Sequence, residues 1–159
     1  MKTIEKSELK EMQYTGNGVT EILYYESYDD GTALMVKNIR GSHPTAYITF
    51  PDISKVKYEE DLYFPGDVYP DIHGGFTFLG KLKEDTHDRI WIGWDYAHAG
   101  DWTQSVPVNE DIFDHHEERK YWEYEIIREC KIALQCIRDG SYIIDHDDYD
   151  NEYDNSTED

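Results

Sequence analysis

Between residues 19 and 50, apolar, aromatic and β-branched residues cluster or alternate in three runs, 19–25, 33–39 and 45–50. Each is closed by a breaker: Asp29-Asp30-Gly31, Gly41-Ser42-His43-Pro44 and Pro51-Asp52. Asp-Gly between two strand-like runs favours a tight turn with positive φ, so the first two are expected to pair antiparallel. Residues 55–70 contain Pro65-Gly66 and Tyr69-Pro70 and read as a loop with one short helix. Two further strands are expected at 74–79 and 90–96, around a charged connection. Phe76, Phe78, Trp91 and Trp94 mark this as the middle of the sheet.

The period changes at residues 117–138. Trp122, Ile126, Cys130, Ala133, Leu134 and Ile137 recur three and four apart with charges between them, the pattern of an amphipathic helix. Gly140 supplies its stop. A shorter amphipathic stretch, 7–12, has Ser7 as a potential cap for one or two helical turns. The elements predict an α+β domain: a mostly antiparallel sheet of about five strands, with one long C-terminal helix packed on it.

Composition adds a constraint. The 159 residues carry 35 Asp+Glu and 15 Lys+Arg, a formal charge of -20. Mean hydropathy is -0.81, yet 14 Tyr, 5 Phe and 4 Trp are unlike a disordered acidic chain and can supply a core. Residues 139–159 hold nine acids and no Lys or Arg, whereas 1–138 hold 26 acids and 15 bases. The expected organisation is a single domain over 1–144 followed by an acidic, disordered tail, 145–159. Such charge opposes direct contact with nucleic acid and anionic membranes. With no apolar run of spanning length and a polar start, the chain is expected to be cytoplasmic. Cys130 and Cys136, six apart on a helix, cannot pair within it, which fits a reducing compartment.

Candidate chemistry gathers beside glycines, in Gly41-Ser42-His43-Pro44, Asp71-Ile72-His73-Gly74-Gly75 and 93–101. Asp95, His98 and Asp101 recur every three residues, and with His73 they could converge as metal ligands or general acid/base groups. Turn chemistry, in which such side chains hydrogen-bond the backbone, is the commoner role of His and Asp beside glycines and the competing reading. His115-His116 read as a solvated helix start. The segment 145–150 lacks the Gly and Glu of a calcium loop. The spacing names no cofactor or metal.

The succession His43-Pro44, His73-Gly74-Gly75, Gly93-Trp94-Asp95, Ala97-His98-Ala99-Gly100-Asp101 and the helix holding Glu125 and Leu134 resembles a family of small, largely uncharacterised bacteriophage and prophage proteins. The resemblance spans about residues 33–138. It implies phage origin and a shared site of His43, His73, Asp95, His98 and Asp101. Where that family's pattern has Cys, this chain has Tyr96, so a thiol nucleophile is absent there.

Two functions from different classes follow as expectations. The first is a phage-encoded acidic binding protein that inhibits a host defence factor, such as a restriction or CRISPR-type nuclease, by occupying its basic nucleic-acid groove. Its contacts would come from His43 and the tail acids Asp145, Asp147, Asp148, Asp150, Glu152 and Asp154. The second is a small metal-assisted hydrolase or nucleotide-processing enzyme using His73, Asp95, His98 and Asp101. A third, sequestration of a signalling nucleotide, would need cations, and Lys37, Arg40, Lys81, Lys83 and Arg89 are those near the Gly-rich segments.

Overall fold

The computed structural model describes residues 1–7, 21–39, 43–68, 72–96 and 123–145. Strands β1 (Thr3–Lys6), β2 (Glu21–Tyr28), β3 (Ala33–Ile39), β4 (His43–Thr49), β6 (Phe78–Lys81) and β7 (Ile90–Asp95) form one antiparallel sheet in the order β1-β2-β3-β4-β7-β6. A separate ribbon pairs β5 (Leu62–Tyr63) with β8 (Ile143–Ile144). One α-helix, α1 (Glu123–Arg138), packs against β3 and β4. Two 3-10 turns, Pro51–Lys55 and Glu59–Asp61, lie between β4 and β5. The α+β class and the helix packed on the sheet are as the sequence predicts.

The hairpin at Asp29-Asp30-Gly31 forms as the Asp-Gly pair requires, with Gly31 at φ 85° and Tyr28 N–H donating to Thr32 O at 2.9 Å. The Asp30 carboxylate accepts from Thr32 N–H (3.0 Å) and Thr32 Oγ1 (2.6 Å). Arg138, in the last turn of α1, donates to both residues, Nε to Asp30 Oδ2 (3.0 Å) and Nη2 to Thr32 Oγ1 (2.9 Å). It also lies 4.7 Å from the Tyr28 ring centroid. One cation thereby ties the helix end to the turn. Burial opposes ionisation of Asp30, but the Thr32 and Arg138 hydrogen bonds outweigh it and hold its carboxyl below the usual range.

Strand alternation gives the sheet two apolar faces. The helix side buries Leu34, Val36, Ala46, Ile48, Ile92 and Trp94 against Ile126, Cys130, Ala133, Leu134 and Ile137. A bulge between Ile22 and Tyr24 lets consecutive Leu23 and Tyr24 both join this core. The other side buries Ala33, Met35, Tyr47 and Trp91 beneath Leu82, in the connection between β6 and β7. Asp85 organises that connection. Its side chain, 1% exposed, accepts from Arg89 Nη2 (3.0 Å), Trp91 Nε1 (2.9 Å) and the Arg89 and His87 backbone N–H groups. Arg89 also donates to Tyr25 Oη at 2.7 Å, and nearby Lys37 pairs with Glu84 at 3.0 Å.

Several details depart from the sequence reading. Residues 3–6 form a sixth strand, because backbone pairing with β2 holds an otherwise exposed segment, and Ser7 joins that ladder through Tyr25. The strand expected at 74–79 starts at Phe78, since Gly74 and Gly75 take positive φ in a turn. β3 and β4, not the aromatic segments, are central: β6 is an edge, and Trp91 owes its burial to the covering connection. Neither two-residue strand, β5 inside the expected 55–70 loop nor β8, was anticipated, and His43 and Pro44, expected as part of a break, open β4. Residues 8–12 of the expected short helix, and 117–122 of the long one, lie outside the described residues.

Gly93 pairs with Tyr47, and a Cβ there would collide with the Tyr47 ring and lie 2.7 Å from Ala46 O. Gly93→Ala is therefore expected to destabilise the fold by about 1–3 kcal/mol, read as a lower urea midpoint at unchanged m. For Asp85, burial opposes the charge, but the Arg89 and Trp91 hydrogen bonds, with the two backbone N–H groups, hold the carboxyl far below its ordinary range. Its contribution is complete above the unfolded value near pH 4 and is lost as pH falls toward the depressed folded value. Asp85→Asn should cost about 2 kcal/mol or more at pH 7 and flatten the acid limb of stability measured between about pH 5 and pH 2.

Candidate functional site

Trp94 and Tyr96 fall at the same parity and face the helix. Tyr96 N–H donates to Pro44 O at 3.1 Å, carrying the β4–β7 ladder one step past the Thr45–Asp95 pair. Its hydroxyl accepts from Trp94 Nε1 (3.0 Å) and donates to Glu129 Oε1 on α1 (2.9 Å). The same carboxylate oxygen accepts from His73 N–H at 3.2 Å. The His73 ring stacks on Tyr96 with centroids 4.6 Å apart and an 11° interplanar angle. Gly75 N–H donates to Ile72 O, and Gly74 at φ 71° supplies the backbone this turn needs. Burial, followed by the Glu129 charge, pushes the Tyr96 hydroxyl far above its ordinary range, so it remains a neutral donor.

Asp95 has the opposite parity, which directs it away from Tyr96 and His73. It accepts from Thr77 Oγ1 at 3.3 Å. His43, half-buried, opens β4 on the face that Thr45 and Tyr47 share. Of the proposed catalytic set, His73 and Asp95 thus sit on different sides of the sheet, and His98 and Asp101 lie outside the described residues. Among the described residues no group of three His, Cys, Asp or Glu side chains is placed to hold a metal ion. Both thiols are buried, and burial raises their pKa, assisted by Glu129 at Cys130 and Asp139 at Cys136. Neither has the depressed pKa of a nucleophile.

One buried acid escaped the sequence reading although a signal existed. Glu26 falls at the inward parity of β2, between Tyr24 and Tyr28, and its side chain is 5% exposed. It accepts from Tyr28 Oη and, at 3.5 Å, from Thr3 Oγ1. Lys6 and Lys131 lie 3.8 Å away on either side. Burial first, then Glu26, pushes Tyr24 up to about 12 and Tyr28 higher still.

The tail acids begin at a defined place. In the β5–β8 ribbon Leu62 pairs with Ile144 and Tyr63 with Ile143. Asp145 N–H donates to Asp61 O at 3.0 Å, and Tyr63 Oη donates to Asp145 Oδ2 at 3.4 Å. Leu62 is buried, whereas Tyr63 and Ile143 are 42% and 41% exposed, with Tyr58, 53% exposed, just before Glu59–Asp61. Beside the ribbon, Tyr142 Oη donates to Asp52 Oδ2 at 3.1 Å. The result is an exposed apolar and acidic ledge from which residues 146–159 continue. Asp147, Asp148, Asp150, Glu152 and Asp154 themselves lie outside the described residues.

No protein-family model, curated protein or solved structure matches the chain.

The Tyr96 network predicts a structural phenotype. Tyr96→Phe removes the donor to Glu129 and the acceptor for Trp94 together, and should lower stability by about 1–3 kcal/mol with a change in near-UV circular dichroism. His73→Ala, which keeps the backbone N–H bond to Glu129, should cost less. Equal losses in thermal melts would contradict this assignment.

Proposed function

We propose that the protein is an acidic binding protein that blocks a basic, nucleic-acid-binding groove on another protein, as a phage-encoded inhibitor of a restriction or CRISPR-type nuclease would. The observation that carries this reading is the β5–β8 ledge, where Tyr63 and Ile143 stand exposed beside Asp145 at the root of the acidic segment. Aromatic residues are enriched in protein interfaces, and carboxylates around them match a groove shaped for phosphates. The charge distribution agrees: residues 1–144 hold 27 acids and 15 bases, whereas residues 145–159 hold eight acids and no Lys or Arg. A groove shaped for duplex DNA expects a dense line of negative charge, and residues 145–159 hold eight acids in fifteen residues without a single Lys or Arg.

The Tyr63–Asp145 hydrogen bond gives the ledge a fixed polarity. Burial, followed by the Asp145 charge, raises the Tyr63 pKa, so its hydroxyl stays a donor at neutral pH. An arriving Arg or Lys would meet Asp145 with its second oxygen exposed to solvent, while apolar side chains pack on Tyr63 and Ile143. The ledge then supplies the apolar anchor, and the acidic segment supplies long-range attraction.

The test is cleavage of duplex DNA by a purified restriction or RNA-guided nuclease with the full chain added. Inhibition should weaken at least tenfold between about 0.05 M and about 0.3 M salt. It should weaken comparably on removal of residues 146–159 or in Tyr63→Ala/Ile143→Ala. Salt-independent inhibition, or inhibition that survives both changes, would refute the reading.

A further inference from the structure

The outward face of α1 departs from the rest of this acidic molecule. Among the described residues, Tyr124, Ile127, Arg128, Lys131, Ile132 and Gln135 line an open groove of about 410 Å³. They recur at three- and four-residue spacing and so form one stripe along the helix. Tyr124 is 64% exposed. Arg128 and Lys131 place two cations, one turn apart, inside an apolar stripe of a chain with more than twice as many acids as bases. Such a groove is complementary to a segment combining carboxylates with aromatic anchors.

We propose that this groove is the resting site of the chain's own residues 146–159, which dock there until a basic partner takes them up. The segment holds seven acids and no Lys or Arg, with Tyr149 and Tyr153 four apart. Its root is fixed by the Asp145–Asp61 hydrogen bond, directly after α1 and β8. From Gln135 to Tyr124 the stripe covers about 17 Å of helix at 1.5 Å per residue. Fourteen residues extend to about 46 Å, well over twice the length of the stripe. A short tether also sets an effective concentration in the millimolar range, which favours this copy over a second molecule. A charge pair at Arg128 would set the register, with the two tyrosines lying against Tyr124 and Ile132 and Lys131, which also faces Glu26, adding to the positive field. The proposal deepens the function given above: the segment that binds the target groove is held on a weaker basic site of its own, so partners too weakly basic to compete are rejected.

The test uses the full chain with a nitroxide attached through Ser156→Cys, the two native thiols being buried. Amide signals of Tyr124, Ile127 and Gln135 should lose at least half their intensity relative to the reduced label, independently of protein concentration. About 0.5 M salt should restore them. So should Arg128→Glu, chosen over a change at Lys131 because Lys131 also lies 3.8 Å from Glu26. Should Arg128→Glu disturb folding, Arg128→Gln must still restore intensity in proportion to the charge removed. Absence of attenuation overturns the proposal, as does attenuation that grows with concentration, which would place a second copy in the groove. Attenuation insensitive to both salt and Arg128 overturns it too. The measurement needs no target protein, so its failure leaves the nuclease assay unaffected.

Discussion

The structure depends on finding hydrogen-bond donors for carboxylates in a chain with too few cations. A buried or half-buried carboxylate without a donor is strongly unfavourable, and 15 Lys and Arg cannot serve 35 acids. Tyrosine fills the gap. Tyr25 donates to Glu5, Tyr28 to Glu26, Tyr63 to Asp145, Tyr96 to Glu129 and Tyr142 to Asp52. Each phenol brings an aromatic body to pack and one donor at its tip. A composition that looks hydrophilic therefore builds a core, because its most abundant aromatic also solvates its most abundant charge.

Where cations are used, they sit at joints. Arg138 ties the end of α1 to the β2–β3 turn, Arg89 and Asp85 fix the connection over the second face, and Lys6 and Lys131 approach Glu26 from β1 and α1. Arg138, Lys6 and Lys131 link segments distant in sequence, and Arg89, paired locally with Asp85, does so through Tyr25. The acid excess is densest in residues 145–159, which hold eight acids and no Lys or Arg. That division separates a fold held by a few well-placed pairs from a surface whose charge is left for a partner.

The legible parts of the fold were the local ones. Asp29-Asp30-Gly31 predicted its hairpin because the turn chemistry is contained in three residues, and α1 was visible because its apolar positions repeat along one face. β1 was hidden because Thr3, Ile4, Glu5 and Lys6 are all exposed and are strand only through backbone pairing with β2. β8 was hidden because two residues carry no period. At the site, proximity in sequence misled. Asp95 adjoins Tyr96, yet alternation sends them to opposite faces, a consequence the strand pattern already contained. The partner of Tyr96 is Glu129, 33 residues away on the helix, and no spacing rule reaches it. His73 was singled out for its ring, whereas its backbone N–H makes the bond to that carboxylate.

The tyrosine–carboxylate pairs also decide which end of the pH scale this architecture tolerates. Strong alkali strips charge from lysine, and in this fold it also ionises phenols that donate to carboxylates. A phenol whose pKa is raised on folding contributes stability that is complete below its unfolded value near 10 and vanishes as pH climbs through the folded value. For Tyr24 the folded value is about 12. The phenols thus add an alkaline limit of their own, and a drift from Tyr to Phe at Tyr28 or Tyr96, usually among the mildest of replacements, would here strand Glu26 or Glu129.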